Sequence, residues 1–123
     1  MSVSYILSRI SLALIFFYHG LVPKLLFASS QEIEMNEKLL PFMSERAALL
    51  SSGYGEVIYA LCLVIFIRSK LLLIPAIAFA SLATIALLVA LPHMFTHAFN
   101  PFSINLAVIS LAAINLIESR KMQ

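Results

Sequence analysis

The stretch LLLIPAIAFASLATIALLVAL, Leu71 to Leu91, carries no charged residue and has only Ser81 and Thr84 as polar side chains. A helix needs roughly 20 mainly apolar residues to cross hydrocarbon about 30 Å thick, at about 1.5 Å of rise per residue. This run meets that length and predicts a membrane-spanning helix. Pro75 falls within its first two turns, where few backbone hydrogen bonds are lost.

The rest of the chain has the same character. Of its 123 residues 62% are hydrophobic and 11% charged, whereas soluble domains average about 45–50% and about 25%. Mean hydropathy is +1.01. The length fits one domain. Sparse charge and a formal net of only +2 exclude nucleic acid as a partner. A single cysteine, Cys62, excludes an internal disulfide and CxxC dithiol chemistry. All six acids are glutamate, so no aspartate-based metal loop is available. What remains is a small integral membrane protein whose first partner is the lipid bilayer.

Three further spans follow. Val3 to Val22 carries Arg9 near one end and His19 near the other; it has the length of a signal peptide, but Lys24 interrupts the approach to a cleavage site near Ala28, and we read an uncleaved helix. Ala47 to Ile67 contains Gly53, Gly55 and Glu56, with Tyr54 to Ile67 its clearest part. Pro101 to Ile117 begins with a proline suited to a first helical turn, after Asn100 as the natural cap. The fold class is therefore an all-α membrane protein, a four-transmembrane-helix bundle. Its helices are expected at about 3–22, 47–67, 71–91 and 101–117. Between the first two, Ala28 to Arg46 mixes charged and apolar residues; this suits a short interfacial helix broken at Pro41, or a solvated loop.

Basic residues set the orientation. Arg9, Arg68, Lys70, Arg120 and Lys121 lie on one side, against Lys24, Lys38 and Arg46 on the other. Five against three predicts that both the N and C termini are cytoplasmic, in a multi-pass protein of the bacterial inner (plasma) membrane. Packing is expected through Ala76, Ala80 and Thr84 on the third span, Arg9, Ala13, Phe16 and Gly20 on the first, and Glu56, Tyr59, Ala60 and Leu63 on the second, because small residues permit close helix approach in lipid.

Ionisable side chains at membrane depth are costly and mark candidate sites. Glu56 precedes Arg68 by twelve residues, about 18 Å of helix, which puts it between the midplane and the outer interface. Lys24 enters from the same side and is its natural partner. The pair forms either the wall of an outer-half polar pocket or a purely structural ion pair; a protonated Glu56 bonded to backbone is the other structural form. His19 lies one turn inside that end. A ligand-binding set of His19, Lys24, Glu56, Tyr59 and Asn105 follows as the hypothesis, with no catalytic residue assigned. His93 and His97 are spaced i, i+4 after Pro92 and share a face if the 92–100 connection is helical. Two such histidines can bind a metal or haem iron, but no third ligand or HExxH pattern accompanies them, so hydrogen-bonding interfacial histidines are the favoured reading. Arg9 is expected to snorkel to the cytoplasmic edge as an anchor, with an inward ionic role as the alternative. Asn105 and Asn115 suit interhelical hydrogen bonds.

The run Phe16-Phe17-Tyr18-His19-Gly20-Leu21-Val22-Pro23-Lys24 resembles the first helix of the DoxX-like family of small four-helix membrane proteins. Gly55-Glu56 resembles the opening of its second helix, and Asn100-Pro101-Phe102-Ser103-Ile104-Asn105-Leu106 the opening of its fourth. The resemblance spans nearly the whole chain. It implies kinship with the small subunits of thiosulfate:quinone oxidoreductases and with domains fused to reductase-like partners. It also implies kinship with animal proteins that assist membrane-protein assembly. It places Lys24, Glu56 and His19 at polar family positions. Two functions follow as expectations. One is an accessory subunit that binds a small hydrophobic ligand such as a quinone, alongside another membrane subunit or a redox partner. The other is an assembly or scaffolding protein without a ligand. A homo-oligomer is needed for a transporter, since four short helices enclose too little cavity. No nucleophile–base set or cofactor motif points to a stand-alone enzyme.

Overall fold

The computed structural model describes all 123 residues, in five helices joined by short connections. Helix α1 runs Val3–Gly20 and continues without a break as a wider π-helical turn, Leu21–Leu26; α2 is Ser30–Leu39, α3 Glu45–Ile65, α4 Leu73–Ala90 and α5 Pro101–Arg120. A 3₁₀ turn, Pro92–Thr96, connects α4 to α5. Four helices are long and apolar enough to cross a membrane: α1 with its π-helical turn, α3, α4 and α5. The expected four-transmembrane-helix bundle is present.

Local sequence explains most of the ends. Ser2, Ser29, Ser44 and Asn100 are N-caps whose side chains accept hydrogen bonds from the N–H groups of Tyr5, Glu32, Ala47 and Ser103, satisfying donors that a helix start leaves free. Ser44 starts α3 before the expected Ala47, and α5 runs three residues beyond Ile117. Helix α2 stops at Leu39, and Leu40 leaves helical geometry (φ −127°, ψ 59°) because the following Pro41 disfavours it. The amphipathic segment is thus a helix and not a loop.

The packing order is α3–α1–α5–α4. The backbones of α3 and α4 stand apart, and α2 bridges them at one end of the bundle by packing on both. Both chain termini and the 66–72 connection lie at the other end, where Ser2 Oγ donates to Glu118 Oε2 at 2.7 Å. The core is Leu12, Ala13, Leu63, Leu73, Ala76, Ala80, Val108 and Ala112. Half of it is alanine, as expected where lipid provides no hydrophobic drive and backbones must approach closely. Leu82, Ile85 and Val89 of α4 point outward, 68%, 63% and 80% exposed, in the positions a bilayer would cover. Met35 and Leu39 of α2 pack against Leu87, Leu91 and Met94, which seats the polar segment on an apolar shelf.

Arg9 corrects the sequence reading. It is fully buried and does not snorkel. Its Nε donates to the Leu63 carbonyl at 2.9 Å, and Nη2 to the Phe66 and Ser69 carbonyls at 2.9 and 3.0 Å. Nη1 donates to Asn115 Oδ1 at 3.4 Å. Asn115 Nδ2 in turn donates to the Tyr5 carbonyl and to Ser8 Oγ. The end of α3 leaves carbonyls without helical donors, and the planar guanidinium reaches several at once. Arg9 and Asn115 thereby tie α1, α3 and α5 together at the termini end.

Candidate functional site

The close crossing of α1 and α3 positions the site. A Cβ on Gly20 would lie 2.6 Å from the Gly53 carbonyl oxygen and 2.9 Å from Glu56 Cβ, and a Cβ on Gly53 would lie 2.8 Å from Leu25. Only glycine at both positions allows this approach, and it brings Glu56 against the turn that carries Lys24. Pro23 has no N–H, so it cannot donate to the His19 carbonyl four residues back. The Lys24 ammonium comes 3.5 Å from that oxygen instead. The helix widens to the i→i+5 pattern here, with Phe27 N–H donating to the Val22 carbonyl at 3.1 Å. It ends at Ala28, whose φ of 44° turns the chain so that Ser29 N–H reaches the Pro23 carbonyl at 2.8 Å.

That last bond frees Glu32. Ser29-Ser30-Gln31-Glu32 has the capping-box spacing, in which the glutamate ordinarily accepts from the N-cap N–H. Here the Ser29 N–H is already engaged with Pro23. The Glu32 carboxylate swings to Lys24, with Oε2 at 3.1 Å from Nζ. Lys24 also donates to both oxygens of Glu56 at 3.0 Å. Lys24 is only 6% exposed, Glu32 12% and Glu56 19%. One ammonium therefore joins two carboxylates in a nearly dry site.

This triad forms one wall of a cavity of about 500 Å³ beneath α2. Ile15, Ala80, Ala83, Leu87 and Val108 supply apolar wall. His19, Lys24, Glu56 and Asn105, four of the residues expected to bind a ligand, line it. No protein group hydrogen-bonds the His19 imidazole, whose ring stands edge-on to Tyr18 at 5.8 Å. Asn105 Nδ2 donates to Thr84 Oγ1 at 2.8 Å. Tyr59 stands apart from the cavity. Its hydroxyl donates to the Leu72 carbonyl, and its ring meets Phe16 edge-on at 4.8 Å, so Phe16 faces the cavity and Tyr59 packs behind it.

His93 and His97 do not form a pair. The 3₁₀ turn ends at Thr96, and His97 is extended (φ −78°, ψ 152°), so the helical i, i+4 face is not built. His93 Nε2 lies 3.5 Å from Glu34 Oε1, and His97 Nδ1 3.4 Å from Gln31 Nε2. Both histidines thus meet α2 at its exposed side. No three potential metal ligands are grouped anywhere in the protein.

The sequence reading passed over Glu32 and Asn36. The capping-box spacing assigns Glu32 to the Ser29 N–H, and only the Ser29 to Pro23 bond releases it to Lys24.

No curated protein and no solved structure matches the chain. The model of the DoxX-like family matches residues 13–113, which include the whole triad and every wall of the cavity. With its four apolar helices, the protein is a multi-pass integral membrane protein, and the chain belongs to the DoxX-like family.

Proposed function

We propose that the cavity under α2 binds a small membrane-dissolved molecule with a polar head, such as a quinone, and that the protein serves as an accessory subunit beside a redox partner in the membrane. The observation that carries this reading is an apolar cavity of about 500 Å³ with a nearly buried Lys24–Glu32–Glu56 cluster in its wall. That volume and lining suit a small organic ligand oriented by a few polar groups. Tyr18, Phe79 and Phe99 line the cavity and are also 58%, 54% and 90% exposed, which supports access from the bilayer. His19, free of protein partners, is the donor for an oxygen of the head. Lys24 and Glu56 hold the wall in shape. Five basic residues against three support cytoplasmic termini in a bacterial inner membrane, with the cavity in the outer half.

Binding of a short-chain benzoquinone to the detergent-solubilised protein tests this. Saturable binding that weakens in Glu56→Gln, with the fold intact by circular dichroism, is expected; failure of both the quinone and its reduced form to bind the wild-type protein contradicts it. A second reading, a scaffold without ligand, draws on a different observation: no fully buried side-chain polar atom lacks a partner. Under it the triad is only an internal ion pair, and Glu56→Leu is tolerated or stabilising, since replacing buried charge by apolar volume is often neutral or better.

A further inference from the structure

The hydrogen-bond inventory of the cavity wall says which kind of head the site takes. Lys24 is the only lysine or arginine on that wall, and it is fully used: three protons face both oxygens of Glu56, one oxygen of Glu32 and the His19 carbonyl. It has nothing left to donate to a ligand. The acceptors are less fully used. Glu32 Oε2 receives Lys24 and Asn36, but Oε1 receives no protein donor. Asn36 Nδ2 donates to the Glu32 carbonyl at 2.7 Å, which fixes the amide orientation and leaves Oδ1 without a protein donor. Thr84 hydroxyl donates to the Ala80 carbonyl at 2.7 Å, so Thr84 Oγ1 is the acceptor for Asn105 Nδ2. Asn105 Oδ1 is left free in the same way. Glu32, Asn36 and Asn105 all line the cavity.

From this we infer that the site selects a head that donates hydrogen bonds, and that it binds the reduced, dihydroxy form of a quinone in preference to the oxidised dicarbonyl form. A phenolic hydroxyl donates to Glu32 Oε1 and accepts from His19, whereas a carbonyl oxygen at the same place meets the carboxylate lone pairs with no proton between them. The asymmetry arises because a charged acceptor is involved. The inference rests on the proposed ligand site and adds the redox form that the site prefers.

The test compares a short-chain benzoquinol, kept reduced under anaerobic conditions, with its quinone in binding titrations on the purified full-length protein. The quinol is expected to bind at least about tenfold more tightly, the scale of one hydrogen bond to a charged acceptor. Glu32→Gln, which replaces the free acceptor with an amide that can also donate, is expected to close that gap. Glu34→Gln, which alters the neighbouring carboxylate that meets His93 outside the cavity, is expected to leave it unchanged. Thermal unfolding of both variants verifies that they are folded. Equal affinities, or tighter binding of the quinone, overturn the inference while leaving the ligand site standing. Failure of both forms to bind overturns the site and the inference together.

Discussion

Arg9 and Glu56 are two charges drawn into the bundle in different settings: Arg9 ties helix ends together, whereas Glu56 stands in the cavity wall against Lys24. Arg9 has no carboxylate partner; its acceptors are three backbone carbonyls and Asn115. Arg9→Lys keeps the charge but loses the planar fork. At about 0.6 kcal/mol per hydrogen bond in a membrane protein, losing most of the four costs roughly 2 kcal/mol, readable as a lower midpoint of unfolding in mixed detergent. Sequence reasoning placed Arg9 at an edge because it lies near the N-terminus. That distance says nothing about whether a helix end stands opposite with unpaired carbonyls. Lys24 and Glu56 were legible because charge at that depth demands a partner, and each was the nearest partner for the other. Glu32 was not, because in a polar segment a glutamate after a serine cap reads as a cap, and only the Ser29 to Pro23 bond diverts it. Ala28 carries a φ of 44°, a region that costs a residue with a Cβ roughly 1–2 kcal/mol. Ala28→Gly is expected to raise stability by about 1 kcal/mol, and an unchanged or lower unfolding midpoint would contradict that account of the turn.

Elements are held in place by what glycine permits. The α1–α3 crossing runs through Gly20 and Gly53, each with protein atoms inside 3.0 Å of a Cβ, whereas Gly55 has nothing within 4 Å. Gly20→Ala and Gly53→Ala are expected to force the helices apart at a cost of about 1–3 kcal/mol and to lengthen the Lys24–Glu56 contact. Gly55→Ala, on an open face of the same helix, is expected to be neutral or stabilising by roughly 0.5–1 kcal/mol. A denaturation series that ranks all three alike would contradict the crossing. The spans themselves were legible because lipid imposes a length and an absence of charge, which Leu71–Leu91 displays without ambiguity. The π-helical turn was not, since Pro23 within an apolar run is compatible with an ordinary kink. The 92–97 turn was not either, because two histidines four apart have the same spacing whether the chain is helical or extended. Tyr59 shares a helical face with Glu56, but Phe16 of the neighbouring helix closes the cavity between them, and that contact depends on tertiary packing.

At the scale of the whole molecule, three helix pairings leave α3 and α4 separated, and α2 covers the resulting opening. The cavity is a consequence of that order, and α2 is both its cover and the source of Glu32. If the five-to-three balance of basic residues sets the orientation, α2 lies on the outer side. Single cysteines at Gln123 and Glu37, placed in a Cys62→Ser background, are then expected to react with an impermeant thiol reagent in intact cells only at position 37; labelling at 123 alone would invert the topology. The central claim is that this covered cavity holds a membrane-dissolved ligand, and the most direct measurement is to extract and chromatograph what co-purifies with the protein in mild detergent. The account predicts a quinone-class molecule near one per protein chain, depleted in Glu56→Gln. A preparation carrying only bulk phospholipid, identical in the wild type and in that variant, would contradict it.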